Sequence, residues 1–309
     1  MQAGKIRIGT RGSPLALAQA HQVADKLRAA HGLTPEQCEI VVIKTTGDRV
    51  TDRPLIEAGG KGLFTKELEE ALFARDIDLA VHSMKDVPAI VPAGLAIVAI
   101  LEREDPRDAF VSLKYASLAE LPAGAVIGTS SPRRGAQALR ARPDLNVVDF
   151  RGNVETRLRK LADGVADATF LACAGLNRLG LARHITAAMD TGVMLPAVAQ
   201  GAIGIEIRAD DEDTAHLLAP LNHAPTAICV TAERAYLTQL EGSCRTPIAG
   251  YAELLPDGGL RFRGEILSTD GRRVSAVEHI GASTTAAALG QQAAADVLGQ
   301  AGPDFFATA

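Results

Sequence analysis

The stretches IGTRGSPLALAQA (residues 8–20) and IGTSSPRRGAQAL (residues 127–139) decide how this chain is read. Each runs from a β-prone segment through Gly-Thr into Ser-Pro and then into a helix-forming run. Ser13 and Ser131 stand where an N-cap belongs. Pro14 and Pro132 fall at the first helical position, where a missing N–H is harmless. Each turn therefore offers a helix N-terminus at the carboxyl end of a strand, where free N–H groups and the helix dipole favour a carboxylate or phosphate. Ordinary capping accounts for one such turn; two with flanking arginines point to anion sites on two lobes built to one plan.

Working outward, strands over 5–10, 39–46 and 78–82 alternate with helices over 14–30 and 64–75. Strands over 126–129, 146–150 and 168–172 alternate with helices over 132–140 and 154–162. This alternation predicts α/β lobes with parallel strands. GAIGIEIRA (201–209) reads as a strand returning to the first lobe, followed by a short helix over 211–221. Beyond it, an amphipathic helix over 225–240, a meander over 248–255, 260–267 and 273–280, and an Ala-rich helix over 283–299 form a small α+β domain. The expected division is a first lobe of 1–101 with 200–219, a second of 102–199, and a C-terminal domain of 220–309. Pro and Gly around 88–94 and 192–201 mark expected crossings between lobes and hinge candidates.

Composition narrows the function. The 309 residues are 47% apolar and 22% charged, which excludes a disordered or collagen-like chain. No apolar run nears the ~20 residues of a membrane span, and the opening lacks the apolar core of a secretory signal, so a soluble cytoplasmic protein with no membrane partner is expected. Cysteines at 38, 173, 229 and 244 form neither a disulfide framework nor close zinc-binding pairs, and His216 and His223 lack a supporting carboxylate arrangement. No metal is expected. Aromatics at 4% with no Trp argue against stacking platforms for nucleic acid. The net charge is −5, yet 129–160 holds eight Lys/Arg against Asp144, Asp149 and Glu155, a local +5. A solvated helix face is the plain reading of such a run, but Arg133, Arg134, Arg151 and Arg157 fall beside predicted strand ends, which favours a focused anion site.

Three motifs carry chemistry. VHSMKDVP (81–88) ends a strand where open α/β sheets bind ligands. There Ser83 and Lys85 suit an anion, while Asp86 can hold a developing cation or move a proton. GGKG (59–62) lacks the spacing of a nucleotide-binding P-loop and leaves Lys61 as a cation on a loop. EGSCRTP (241–247) leaves room around Cys244, and Arg245 favours its thiolate, although a lone Cys is usually a small buried hydrophobe.

Taken in order, RIGTRGSPLALAQAH, GGKGLFTKELE, DLAVHSMKDVP, EREDPRDAF, GTSSPRR, RGNVETRL, AGLNRLG, LPAVAQGAIGIE and ERAYLTQLEGSCRTPIAGYAEL closely resemble the porphobilinogen deaminase (hydroxymethylbilane synthase) family over most of residues 5–255. The resemblance implies two lobes like those of periplasmic binding proteins plus a small C-terminal α+β domain. It implies a dipyrromethane cofactor in thioether linkage to Cys244. The implied reaction condenses four porphobilinogen molecules with loss of ammonia and releases hydroxymethylbilane by hydrolysis, in a generally monomeric enzyme. Asp86 matches the catalytic aspartate, stabilising positive charge on pyrrole nitrogens. Ser83, Lys85, Thr129, Ser131, Arg133, Arg134 and Arg151 match cofactor-binding positions. Arg11, Ser13, Lys61, Arg157, Arg178 and Gln200 match positions that hold carboxylates of the substrate and growing chain. Glu57 stands where many relatives carry Lys, Pro132 where Leu is frequent, and Ser243 where Gly is common. A non-enzymatic bilobal binding protein for a polycarboxylate would use the same arginines but leave Cys244 unmodified. A nucleic-acid module resting on 129–160 is opposed by net acidity and few aromatics.

Overall fold

The computed structural model describes residues 5–49, 62–240, 247–302 and 305. Its strands, in chain order, are β1 (Ile6–Arg11), β2 (Cys38–Ile43), β3 (Leu79–Ser83), β4 (Leu95–Ile100), β5 (Asp108–Ser112), β6 (Val126–Gly128), β7 (Asn146–Val148), β8 (Ala168–Ala172), β9 (Ala187–Ala188), β10 (Ile203–Arg208), β11 (Ile248–Leu254), β12 (Gly259–Leu267) and β13 (Val274–Ala282). Two compact units divide the chain: Met1–Glu104 with Ala202–Ala227, and Asp105–Gly201 with Ile228–Ala309.

The first unit holds a five-stranded sheet ordered β2-β1-β3-β10-β4. β1, β2 and β3 are parallel, as the sequence pattern predicts, whereas β10 runs antiparallel to both β3 and β4. All six residues of β10 are buried, as befits a central strand covered on both faces. One face packs Ile8, Leu79, Val81, Ile203 and Ile205 against the helix Pro14–His31 through Ala20, Val23 and Leu27. The opposite face packs Leu68 and Leu72 of the helix Lys66–Phe73 on Ile77 and Ala80. That helix is shorter than the expected 64–75 because Phe64 and Thr65 belong to the preceding turn and Arg75 adopts φ 59°.

The second unit repeats the plan as β7-β6-β8-β5-β9, with β6 parallel to β7 and β8 and β5 antiparallel to β8. Each lobe sheet thus admits an antiparallel strand that alternation alone does not reveal. The same unit contains the antiparallel sheet β11-β12-β13, against which the helix Ala286–Ala301 packs. The ring of Tyr236, on the helix Ala224–Gln239, packs against Phe262 of β12 with centroids 5.0 Å apart and planes tilted by 54°. The divisions at 104/105 and 201/202 correct one expectation. Residues 88–94 lie inside the first unit, where Pro88, Pro92 and Gly94 (φ 90°) turn the chain from β3 into β4.

Candidate active site

In the first unit, β1 ends at Arg11, and Ser13 caps the helix Pro14–His31 by accepting the Ala16 N–H at 3.3 Å. β3 ends at Ser83 and passes into the single turn Met84–Asp86. Two strand ends and a helix start therefore meet, and a cavity of about 50 Å³ opens there, lined by Arg11, Gln19, Phe64, Ser83 and Asp86 among others. Gln19 Nε2 donates to Ser83 Oγ at 2.7 Å. Arg11 pairs with Asp48 at 2.5 Å, and its guanidinium carbon lies 4.1 Å from the centre of the Phe64 ring. Burial works against the Asp48 charge, but Arg11 and Thr45 outweigh it and hold that carboxyl below its usual range. The half-buried Asp86 carboxylate has no hydrogen-bond or ion-pair partner among the described residues. Lys85, also half-buried, follows the strand end. Below it, His82 Nε2 lies 2.9 Å from Glu206 of β10, both almost wholly buried, and burial raises the nearby Glu69.

In the second unit, β6 leads into the helix Pro132–Ala141, which Ser131 caps by accepting the Arg134 N–H at 3.4 Å. Thr129 Oγ1 accepts from the Ser131 N–H at 3.2 Å and so braces the same turn. Arg133 and Arg134 are buried, and both donate to Asp108 of β5. Gln200 joins them, with Nε2 at 3.1 Å from Asp108 and 2.8 Å from the Pro106 carbonyl. Burial opposes the Asp108 charge, yet the two guanidiniums hold its carboxyl far below the usual range. Arg134 in turn is lowered chiefly by burial. The thiol of nearby Cys173 is pushed up to about 12 by burial, which leaves it inert.

The remaining anticipated residues are dispersed. Arg157 Nε donates to the Gly152 carbonyl at 2.9 Å, and Lys160 Nζ, from the last turn of the helix Val154–Ala162, to the Arg151 carbonyl at 3.1 Å, both acceptors lying just before that helix. Arg178 Nη2 donates to the Gly201 carbonyl at 2.8 Å. Cys244, Lys61, Glu57 and Ser243 lie outside the described residues. Sequence reasoning did not single out Gln19, Asp48, Phe64 or Asp108. Gln19, Phe64 and Asp108 fall inside the family motifs, so their positions were visible and their contacts were not.

Residues 6–216 match the family model "Porphobilinogen deaminase, dipyromethane cofactor binding domain". The chain belongs to the porphobilinogen deaminase family. A second model, "Porphobilinogen deaminase, C-terminal domain", matches residues 227–299. Porphobilinogen deaminase of Paracoccus denitrificans is 61% identical, covering 97% of this chain and 96% of its own. The chloroplastic porphobilinogen deaminase of Pisum sativum is 56% identical, covering 97% of this chain and 83% of its own. Among solved structures, the methionine-binding protein MetQ aligns with a TM-score of 0.45 at 16% identity, over 71% of this chain and 90% of its own. A periplasmic substrate-binding protein of an ABC transporter from Coxiella burnetii aligns with 0.43 at 17%, over 74% and 96%. No described helix is long and apolar enough to cross a membrane.

Proposed function

We propose that this chain is a hydroxymethylbilane synthase that condenses four porphobilinogen molecules head to tail on a dipyrromethane held by Cys244 and then releases the linear tetrapyrrole. The observation that carries the reading is that, in a chain of this family, each of the two units by itself holds a polar group set suited to part of such a cofactor. The first unit presents Asp86, a carboxylate without a partner among the described residues, beside Ser83 and Gln19. The second unit stores two buried guanidiniums against one carboxylate. The donor chemistry fits a dipyrromethane, whose N–H groups need an acceptor and whose acetate and propionate arms need cations. When bound, that group supplies the nucleophilic pyrrole end on which the chain grows.

The chain's own residues then have distinct tasks. Asp86 is placed to accept hydrogen bonds from pyrrole N–H groups, to stabilise positive charge as ammonia departs, and to take the α-carbon proton that the attacking ring gives up once the new carbon–carbon bond has formed. Ser83, held by Gln19, and Lys85 orient the same end. Arg11, restrained by Asp48, and Ser13 bound the first unit's site. Thr129, Ser131, Arg133 and Arg151 hold cofactor carboxylates, with Arg134, its guanidinium spent on Asp108 and the Phe170 carbonyl, adding positive charge beside them; Lys61, Arg157 and Arg178 hold carboxylates of the incoming substrate and chain, and Gln200, whose amide N–H groups go to Asp108 and the Pro106 carbonyl, is fixed beside Arg133 and Arg134. The separate family model for 227–299 and the self-contained β11-β12-β13 sheet support a three-domain division of 1–101 with 200–219, 102–199 and 220–309. The reading carries with it a monomeric cytoplasmic enzyme without membrane or nucleic-acid partners.

Intact mass beside a Cys244→Ala variant tests the attachment. The expected result is a mass excess of two linked pyrrole units and an acid-aldehyde colour in the parent chain only. An unmodified parent chain that releases no ammonia from porphobilinogen would favour the polycarboxylate-binding protein. Asp86→Asn keeps shape and removes charge, so kcat should fall by about 100-fold or more with KM little changed; a normal kcat would remove Asp86 from this role.

A further inference from the structure

Asp108 opens β5 within EREDPRDAF (102–110), a motif to which the proposed function gives no task. Its side chain is wholly buried, and its partners come from two separate places in the second unit, the helix Pro132–Ala141 and Gln200. Arg134 spends the Nε–Nη2 side of its guanidinium on Asp108 Oδ1, at 2.9 and 2.6 Å, and gives Nη1 to the Phe170 carbonyl at 2.9 Å. Arg133 behaves differently. Only its Nη1 is engaged, with Asp108 Oδ2 at 2.7 Å and the Leu195 carbonyl at 2.8 Å. Its Nε and Nη2 have no hydrogen-bond partner among the described residues. Those two nitrogens form the edge that takes a carboxylate through two parallel hydrogen bonds. Gln200 donates to the same Asp108 oxygen that Arg134 uses. One carboxylate thus faces two guanidiniums, and burial of an unmatched cation is strongly unfavourable unless an anion arrives to meet it.

We propose that Asp108 is a positioning residue for the reaction: by gripping Nη1 of Arg133 it keeps the Nε–Nη2 edge set for a pyrrole carboxylate, and it ties Gln200 to the same point. This rests on the reading that Arg133 meets carboxylates of the cofactor or growing chain. Asp108 itself touches no substrate. Its charge neutralises one arginine and its geometry orients the other.

The test compares the purified parent chain with D108N, R133Q, the double variant D108N/R133Q and the charge-balanced variant D108N/R134Q. Each is measured for covalently retained dipyrromethane by intact mass, for kcat and KM with porphobilinogen, and for thermal melting. D108N is expected to lose retained cofactor and at least about 30-fold in kcat/KM. Adding D108N to R133Q should change little further, because the lost interaction is shared. D108N/R134Q, which keeps the native net charge, should show the same loss, since the grip on Arg133 is still missing. Native occupancy and KM in D108N overturn the proposal. So do additive losses in D108N/R133Q, or recovery in D108N/R134Q, which would mean that charge alone mattered. A D108N chain that does not fold also overturns it in favour of a purely structural carboxylate, unless D108N/R134Q folds and shows the loss. A parent chain without cofactor or turnover instead defeats the reading of the site on which the proposal rests.

Discussion

Replacing Glu233 by Gln should unlatch the loop that carries Gln200. Glu233 lies on the helix Ala224–Gln239 and is wholly buried. One carboxylate oxygen accepts the Ala199 N–H at 2.6 Å and the other the Ala252 N–H at 2.8 Å. Ala199 has φ 58°, the left-handed region, which an L-residue enters at a cost of roughly 1–2 kcal/mol. The carboxylate therefore joins helix, loop and β11 while holding a strained residue next to Gln200. Gln fills the same space but turns an NH2 toward one of the two N–H groups, whichever way its amide is set. Two buried donors then face each other unpaired, at about 1–3 kcal/mol each, so the loss is about 3–5 kcal/mol. For a unit of this size the melting midpoint should fall by roughly 10 °C. Thermal unfolding followed by circular dichroism measures this directly. Ala199→Gly on the parent chain should gain up to about 1 kcal/mol, because the latch holds that residue at a φ that glycine enters without strain. On the Glu233→Gln background it should gain less, because the unlatched residue can leave the left-handed region while the unfolded-state cost of glycine is the same on both. A Glu233→Gln midpoint within about 2 °C of the parent, or equal effects of Ala199→Gly on both backgrounds, would refute the latch.

Other outcomes follow from the same geometry. Burial raises Glu69, and a carboxyl whose folded pKa exceeds its unfolded value of about 4.3 contributes stability below that pH and loses it as pH rises through the folded value. Glu69→Gln should accordingly be more stable than the parent in urea melts at neutral pH and equal to it near pH 3–4; the reverse order would contradict the shift. Asp108 is shifted the opposite way, so its contribution is complete above about pH 4 and is lost only in stronger acid, visible as a change in the acid limb of the stability curve that D108N lacks. A Cβ on Gly290 would land on the backbone of Ala232, where the helices Ala286–Ala301 and Ala224–Gln239 make backbone contact. Gly290→Ala should therefore cost about 1–3 kcal/mol in the same melts, despite the better helix propensity of alanine.

Much of the site was legible because its signals are local. The Ser-Pro caps at 13–14 and 131–132 appear as anticipated, since a cap needs only the residues within one turn. Asp86 follows the end of β3 for the same reason: strand, short turn and motif are consecutive. Arg133 and Arg134 were legible as cations but not as the two arms of a cluster around Asp108, 25 and 26 residues away. Gln19 carries no signal of its own until its helix places it against Ser83, 64 positions on.

What the sequence by itself determined is the repeated strand-cap-helix plan, the small C-terminal meander, the basic stretch on an acidic chain and the family motifs with Cys244 and Asp86. These are properties of residue type and short spacing, and each is fixed within a few turns of chain. Only the tertiary structure decided that β5 and β10 enter their sheets antiparallel, that Arg11 answers to Asp48, and that Asp108 spends one arginine and readies another. Strand direction and ion pairing depend on which distant segments meet, and burial is what makes one partner count above another. Neither leaves a period in the chain.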